Sequence, residues 1–215
     1  LYRYSFDGRI AHVGVENIRL DSYYNPAVRR NVRLELIRDG LNGSRAQSTI
    51  PQTYADENHG WAAVEIGIAE NCWVRNVTSV HYGYSCVRIN STAKYVTVQD
   101  CEYLDPVSEI EGGRRYSFYV NGQLNLVQRC YARDGRHDFV LASRTRGPNV
   151  FFDCRAEQSW SATEAHHRWS QGALWDNVMT LGPWNCMQAV NRSSSDTGHG
   201  WAGVNMVFWN CDAKV

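Results

Sequence analysis

The chain has 215 residues, of which 43% are hydrophobic, and its 22 Lys and Arg balance its 22 Asp and Glu. This length suits one domain with a substantial core, and zero net charge argues against nucleic acid or an anionic membrane as a partner. No run approaches the ~18 consecutive apolar residues of a membrane span. The chain begins Leu1-Tyr2-Arg3, with neither an initiator Met nor a signal peptide, so we expect a mature product or a segment of a longer protein.

A short β-branched or aromatic motif, closed by a polar or small residue, recurs along the chain. Its copies are Asn17–Tyr23, Asn71–Val77, Tyr95–Cys101, Leu124–Cys130, Asn149–Cys154 and Asn205–Cys211, with a weaker copy at Ala173–Asn177. The closing residues are Val77, Cys101, Cys130, Cys154, Asn177 and Cys211, spaced by 24, 29, 24, 23 and 34 residues. Periods of this length indicate stacked repeats, because one such unit cannot bury its own apolar face.

The units contain strands and turns but no amphipathic helix. We therefore predict an all-β fold, a right-handed parallel β-helix of about 7–8 coils. A leucine-rich horseshoe is disfavoured because the leucine framework is missing. Residues 1–215 are predicted to form a single β-helix domain, complete or as part of a longer chain.

One stretch interrupts this order. Residues 26–58 contain Pro26, Pro51, Gly40 and Gly43, and we expect a loop-rich, exposed excursion from the coil. Residues 59–215 then hold six successive coils. Longer turns are predicted at 104–115, 156–168 and 191–200, where a β-helix builds a groove.

Four cysteines, Cys101, Cys130, Cys154 and Cys211, fall on one wall of the predicted coil. Seven Cys leave an odd thiol under full pairing, and a chain of this size does not need disulfides for stability. We therefore predict a buried column of reduced thiols, with a disulfide framework as the alternative. The states of Cys72, Cys86 and Cys186 stay open.

A second register concerns the residues that open the preceding strands. These openers are Trp61, Cys86, Phe118, Phe139, Trp169, Cys186 and Trp201, and two residues before them stand His59, Tyr84, Tyr116, His137, His167, Trp184 and His199. One residue further upstream come Arg115, Arg136 and His166. Spacing by two places side chains on one face of a strand, so we predict a cationic, titratable column. The alternative is a polar strand entry in which each His bonds to a neighbouring turn.

Carboxylates form a rival constellation. His81, Asp105 and Asp134 each stand four residues after the closing position, with Glu109, Glu111 and Asp138 near in sequence. Paired acids would suit glycoside hydrolysis, whereas Asp residues in turns also cap backbone amides. His59, His166, His167 and His199 offer ring nitrogens that could bind a metal. Because the tandem His166 and His167 would point to opposite faces of a strand, we predict no metal site.

Several strings resemble a known group of proteins. They are Asp56-Glu-Asn-His-Gly-Trp61, Gly113-Arg-Arg-Tyr-Ser-Phe118, Gln128-Arg-Cys130, Gly135-Arg-His-Asp-Phe139, Gly147-Pro-Asn-Val-Phe-Phe-Asp-Cys154, His166-His-Arg-Trp169 and Gly198-His-Gly-Trp-Ala-Gly203. Over residues 56–213 the chain is similar to little-characterised secreted proteins of the pectate-lyase-like parallel β-helix superfamily. The resemblance implies an extracellular protein with a carbohydrate-related role. Lyases of that superfamily commonly use a Lys or Arg base with calcium, but Lys is rare here and no dense acidic cluster is visible, so no cofactor is predicted.

We accordingly predict a polysaccharide lyase that acts on an acidic, uronate-containing polysaccharide. Arg115 and Arg136 would neutralise the carboxylate, His137 or His167 would be the base, Tyr116 would protonate the leaving oxygen and Asp138 would orient a His. Further substrate contacts are predicted for His59, His166, Arg168, His199 and Trp201. The alternatives are a non-catalytic glycan-binding module or fibre subunit that self-associates through its coil ends, and a glycoside hydrolase.

Overall fold

Almost all of the regular structure in the chain is β-strand. The computed structural model describes residues 7–33, 49–182, 187–194 and 198–214, and no helix is assigned as an element within these ranges. Long parallel sheets dominate, so the all-β prediction is confirmed, and the arrangement is compatible with a solenoid of stacked repeats.

The largest sheet has 13 strands in two branches that share one long strand, β6 (Ala69–Val80). The first branch runs outward from β6 through β8 (Lys94–Gln99), β11 (Asn125–Gln128), β14 (Asn149–Phe152), β17 (Ser170–Asp176) and β20 (Gly203–Trp209). The second runs through β9 (Glu102–Leu104), β12 (Tyr131–Arg133), β15 (Arg155–Glu157), β18 (Met179–Leu181) and β21 (Asp212–Lys214). On its other edge, β6 pairs in parallel with β1 (Ile10–Ala11) and β2 (Gly14–Asp21).

A second parallel sheet takes one short strand from each of four successive repeats. Its strands are β5 (Ala62–Ile66), β7 (Ser85–Ile89), β10 (Phe118–Val120) and β13 (Phe139–Leu141). A bridge from Leu141 to Ala165 continues the row to β16 (Thr163–Glu164), which pairs with β19 (Met187–Gln188). Counting the two branches of the large sheet as the first two walls, we call this row the third wall.

The segment 26–58 departs from the parallel pattern. It contains β3 (Arg29–Arg33) and β4 (Thr49–Tyr54), which are the one antiparallel pair among the described strands. The prediction of a loop-rich excursion was therefore wrong in part, because two paired strands lie within it. Residues 34–48 lie outside the described ranges.

The predicted column of reduced thiols is confirmed for three cysteines. Cys101, Cys130 and Cys154 are buried and unpaired, and they lie on successive layers of the large sheet. Each thiol donates across to the preceding layer, at 3.7–3.9 Å from the carbonyl oxygens of Val74, Val98 and Val127. Cys72 and Cys86 are buried free thiols as well, and Cys211 is half-buried. Cys186 lies outside the described residues.

The residue before each column position turns a corner between the two branches. These corner residues, with positive φ angles near 50°, are Asn76, Asp100, Arg129, Asp153, Asn177 and Asn210. Asn and Asp tolerate this left-handed conformation better than most residues. Their side chains also bond from layer to layer: Asn177 Nδ2 donates to Asp153 Oδ1 at 2.7 Å. This conformation accounts for the polar residue that precedes the cysteine in the motif.

Two of the predicted alignments were wrong in register. Arg155 pairs with Met179, so Val178 stands beside Cys154 in the column and Asn177 is the corner residue. Near the N-terminus, Ile18 pairs with Val77, and the closing residue predicted for that copy, Tyr23, is exposed.

Candidate functional site

The candidate site lies on the side of the third wall that faces away from the main core. Strand alternation sends Phe118 and Phe139 into the core, where their rings stack at 5.6 Å. The neighbouring side chains turn the other way and form a separate cluster of Tyr84, Tyr116, Tyr119 and Val140. The predicted long turns at 156–168 and 191–200 contribute the remaining side chains.

Four histidines meet next to this aromatic cluster. His137, His166, His167 and His199, which we call the imidazole cluster, have neighbouring ring centroids 4.7–5.1 Å apart. Tyr116 touches two of them, at 5.1 Å from the ring of His137 and 5.4 Å from that of His166. Tyr116, His137 and His167, three of the residues predicted for the catalytic site, thus lie in or beside one cluster.

A buried carboxylate, Glu164 on β16, lies under the imidazole cluster. Its Oε1 is 2.7 Å from Nδ1 of His166 and 3.2 Å from Nη1 of Arg192. The same oxygen lies 3.4 Å from Nδ1 of His137, and Gln188 donates to the other oxygen. An unpaired carboxylate would be costly at a fully buried position, and His166, Arg192 and Gln188 satisfy it, whereas Nδ1 of His137 bonds to the Ala162 carbonyl oxygen at 2.7 Å.

Nδ1 of His166 faces two groups, Oε1 of Glu164 at 2.7 Å and Nη1 of Arg192 at 3.1 Å. In the tautomer in which Nδ1 donates its proton to the carboxylate, Nε2 is left as an acceptor. The Tyr116 hydroxyl lies 3.2 Å from that Nε2 and donates to it. A line of hydrogen bonds thus runs from Tyr116 through His166 to Glu164.

The tandem histidines do not point to opposite faces. His166 and His167 follow β16 in a bend, and Arg168 and Trp169 after them have positive φ angles. Strand alternation does not apply in a bend, so the two rings approach to 4.9 Å. The prediction that they diverge was wrong.

Burial and crowding keep two of these imidazoles neutral at physiological pH. Burial, then the neighbouring charges of Arg136 and His166, lower the pKa of His137 well below its usual value. Burial, His166 and His199 lower the pKa of His167 to about 3. Burial also raises the pKa of the Tyr116 phenol. A neutral imidazole carries a lone pair that can bind a metal ion, whereas the lowered pKa makes each of these rings a weaker proton acceptor.

Arg115 was predicted to bind substrate, but it is fully buried. Its Nη1 lies 2.9 Å from Asp134 Oδ2, and its Nη2 donates to the carbonyl oxygen of Ser108 at 2.7 Å. The guanidinium therefore holds the 104–115 turn against the next repeat. It is not available to a ligand.

Asp138 does not orient a histidine, contrary to the prediction. It is buried, and its two oxygens accept hydrogen bonds from Ser117 Oγ and Ser159 Oγ, each at 2.6 Å. Burial raises the pKa of Asp138 to about 6 despite these two bonds. No room is left around it: a Cβ added at Gly135 would lie 1.9 Å from Asp138 Oδ1.

The predicted stack of His81, Asp105 and Asp134 is present at one corner, where all three have positive φ angles. Asp105 pairs with Arg133 at 2.8 Å, and Asp134 is held by Arg115 and by the Trp160 indole. These acids therefore serve the turn and ion-pair roles that were the alternative to a hydrolase pair.

Two further predicted residues, His59 and Arg136, lie in different parts of the structure. His59 lies elsewhere: its Nε2 donates to the Val107 carbonyl oxygen at 2.6 Å, and Ser22 Oγ is 3.2 Å from its Nδ1. Arg136 stands beside Tyr116, and its buried Nη1 has no partner within the described ranges.

The predicted series of strand openers holds only for Phe118 and Phe139, which pair with each other, because Phe118 pairs with Val87 and not with Cys86. Trp169 and Trp201 are exposed and lie before β17 and β20, with the Trp169 amide donating to the Trp201 carbonyl oxygen at 2.8 Å. Arg168 reaches the 198–201 turn, where its Nε donates to the Gly198 carbonyl oxygen at 3.3 Å. Trp184 and Cys186 lie outside the described residues.

Sequence reasoning missed two residues of the site, Glu164 and Arg192. Glu164 stands two residues before His166, a spacing that places both side chains on one face of an extended segment. This spacing could have identified Glu164 as part of the site from the sequence. Arg192 reaches the site from a different turn, with Nη1 3.0 Å from the carbonyl oxygen of His166. No local pattern marks it.

Two sets of side chains have the donor atoms and the proximity to hold a metal ion. One is His166, His167 and His199, and the other is His137, Glu164 and His166. In each set the ligand atoms lie within 4.8 Å of one another. The first set includes the half-buried His167, whereas the second is entirely buried.

Comparisons with protein-family models, with curated proteins and with solved structures found no match to this chain. The function is therefore argued from geometry alone. No helix in the described ranges is long and apolar enough to cross a membrane.

Proposed function

We propose that this chain is a secreted right-handed parallel β-helix of the pectate-lyase-like type and that it cleaves an acidic, uronate-containing polysaccharide by β-elimination. The proposed fold is supported by the parallel strands from β5 onward, in which paired residues lie 21 to 33 positions apart. The proposed activity rests on the side chains outside the third wall. One observation carries it: Tyr116, His166, His167 and His199 form an unbroken series of ring contacts beside Arg136.

Aromatic rings continue this series along the stacking direction. Trp61 stacks on Tyr84 at 5.3 Å, and Tyr84 contacts Tyr116 at 5.2 Å, one ring from each layer. Trp61 is exposed at one end of the row, and Trp169 is exposed beyond the imidazole cluster. Sugar rings stack on exposed aromatic faces, and Tyr84 and Tyr116 are buried. A glycan is therefore proposed to stack on Trp61 and Trp169 and to pass over the buried tyrosines between them.

Neutralisation of the uronate carboxylate falls to Arg136, because Arg115 is paired with Asp134. Arg136 is half-buried and has a guanidinium nitrogen without a partner among the described residues. A guanidinium suits a carboxylate because it donates two parallel hydrogen bonds.

The proton transfers are assigned to His167 and Tyr116. His137 is buried too deeply to reach a polymer, whereas His167 is half-buried. The Nδ1 of His167 is itself shielded from solvent and has no partner among the described residues, so the exposed part of the ring must supply the contact with the polymer. In the proposed reaction His167 takes the C5 proton and the C4–O bond breaks. The Tyr116 hydroxyl protonates the leaving oxygen, and a C4=C5 double bond forms next to the carboxylate.

The test is incubation of the full chain with a panel of uronate polymers, followed by the ultraviolet absorbance of the conjugated product. His167→Ala is expected to slow product formation on the order of 10²-fold or more, as for loss of a general base. Arg136→Ala should raise KM and lower kcat. Arg129→Ala, which removes a surface guanidinium paired with Asp100 at a distant corner, should leave the rate unchanged.

Two results would overturn elimination. New reducing ends without the ultraviolet band would indicate hydrolysis instead. Polymer binding without cleavage, lost in Arg136→Ala, would indicate a glycan-binding module.

A second candidate, self-association through the ends of the stack, has its own support. β20 is the outermost described strand of its branch, and Val207 and Trp209 on it are exposed. At the opposite end, Ile10 and Ile18 are exposed on β1 and β2. Apolar strand edges of this kind promote pairing, so a second copy of the chain could stack end to end. Sedimentation of the wild type and of Val207→Lys over a range of concentrations tests this, since a concentration-independent monomer would exclude it.

A further inference from the structure

We propose that His166, His167 and His199 form a binding site for a divalent transition-metal ion, with Zn²⁺ as the ion that this ligand set suits best. The potential ligand nitrogens of the three side chains lie within 4.8 Å of one another. Their rings already pack against each other at 4.7–5.1 Å. The site adds a ligand to the proposed elimination site and does not depend on that activity.

The observed spacing is close to what zinc requires. Zn–N bonds of about 2.0–2.1 Å in a tetrahedron set the nitrogens about 3.3 Å apart. The three nitrogens must therefore close by at most about 1.5 Å, which side-chain rotations can supply. His167 and His199 stand in turns outside the named strands, where such rotations disturb no strand pairing.

Glu164 supplies the outer-sphere contact that metal-bound imidazoles usually have. In protein metal sites, a ligating His commonly donates its other ring N–H to a carboxylate, which fixes the tautomer. Glu164 Oε1 occupies that position, 2.7 Å from Nδ1 of His166. The Nε2 of His166 is then directed away from Glu164, and the metal would replace the Tyr116 hydroxyl as its partner.

The donor set selects the class of ion. Imidazole nitrogens suit Zn²⁺, Cu²⁺ and Ni²⁺, whereas Ca²⁺ and Mg²⁺ require oxygen ligands. Three protein ligands leave a fourth position open to water or another ligand. The alternative set of His137, Glu164 and His166 suits an ion less well, because Glu164 is already bonded to Arg192 and Gln188.

One consequence rests on the proposed function. A metal bound at Nε2 of His166 and at His167 would remove the proposed base, and it would displace the Tyr116 hydroxyl from His166. Zn²⁺ is therefore expected to inhibit elimination, and a chelator is expected to restore it.

Metal binding is tested directly, without any activity assay. The full chain is stripped with EDTA, dialysed and titrated with ZnCl₂ by calorimetry, and one ion per chain is expected. His167→Ala and His199→Ala should each weaken binding by more than the 10–100-fold typical of losing an outer-sphere partner, and Glu164→Gln should weaken it by about that amount. His12→Asn is the matched control, because His12 is exposed and its positive φ angle suits Asn.

A second measurement needs no variant and so does not depend on how the variants fold. Co²⁺ added to the wild type should give the visible absorption of a tetrahedral, nitrogen-ligated ion without a near-ultraviolet thiolate band. A thiolate band, no binding at one ion per chain, or undiminished affinity in folded His167→Ala and His199→Ala would each overturn the site.

The glycan-cleavage assay, run beside the Zn²⁺ titration, separates the two proposals. One bound Zn²⁺ per chain with no glycan cleaved would support the metal site and overturn the proposed elimination. Cleavage without metal binding would support the elimination and overturn the metal site. Cleavage that continues at saturating Zn²⁺ would overturn the inhibition.

Discussion

Nδ1 of His166 lies 2.7 Å from Oε1 of Glu164, two residues earlier in the chain, and both side chains are buried on the outer side of the third wall. The same carboxylate oxygen accepts a hydrogen bond from Arg192, which comes from the turn after β19. Through these two hydrogen bonds, the buried Glu164 connects the bend at 166–169 to the turn that carries Arg192. The imidazole cluster depends on this acid for its position.

Replacement of Glu164 by Ala is expected to destabilise the fold by about 3–5 kcal/mol, because it leaves the Arg192 charge without its partner in a mostly buried setting. Urea unfolding monitored by tryptophan fluorescence measures the change. The control is Glu70→Ala, which removes a half-exposed carboxylate 3.0 Å from Lys94 Nζ and should cost no more than about 1 kcal/mol. Equal losses in the two variants would contradict the anchoring role of Glu164.

Asp138 should make the stability of the protein depend on pH. Its folded-state pKa is raised to about 6 from an ordinary value of 3.8, so the folded state binds the proton more tightly than the unfolded chain does. The stabilisation from this proton is complete only well below pH 4 and is lost as pH rises through 6. Between pH 4 and pH 7 the loss is about 2 kcal/mol.

Asp138→Asn removes this titration while it keeps a side chain that can bond to Ser117 and Ser159. The unfolding free energy of the variant minus that of the wild type should increase by about 2 kcal/mol from pH 4 to pH 7. Urea titrations of both proteins at the two pH values measure it, and the pH 4 difference serves as the internal reference. A pH-independent difference would show that Asp138 is already ionised in the folded state without penalty.

The thiol column was predictable because its signal is local and periodic. Each copy carries a small apolar residue after a corner residue, and the spacing in the chain maps directly onto the layers. The register failed where a copy lacks the cysteine that marks the closing position: Val178 takes that position beside Cys154, and Asn177 before it is the corner residue. A single extra residue in a turn shifts every later side chain, and hydrophobic alternation alone does not show where it is placed.

The candidate site was only partly predictable for a related reason. The histidines were found because they recur near the strand openings, yet their convergence depends on bends at 166–169 that strand periodicity does not describe. Arg115 and Asp138 were assigned to the site from sequence neighbours, whereas their partners, Asp134 and Ser159, come from other repeats. Such partners become visible only when the register between layers is known.

Cys130 tests whether shape or chemistry is required in the thiol column. Val77 and Val178 occupy equivalent positions in other repeats and are buried like Cys130. Cys130→Val should therefore change the unfolding free energy by less than about 1.5 kcal/mol, as for a volume-conserving replacement. Cys130→Asn buries an amide without designed partners and should cost about 1–3 kcal/mol more. If Val is as damaging as Asn, the thiol itself is required.

Substitutions at Asn177 measure how much a left-handed backbone conformation costs in unfolding free energy. Asn177 has φ 54°, and Gly and Val substitutions both remove its side-chain bonds to Asp153 and Asn210. Gly adopts this φ without steric penalty, whereas a β-branched side chain does not. Asn177→Val should therefore be less stable than Asn177→Gly by about 1–2 kcal/mol. At Phe152, a half-exposed position within β14, the order should reverse, because strands favour Val over Gly. Chemical denaturation of the four variants decides this, and the corner account fails if Val is favoured over Gly at both positions.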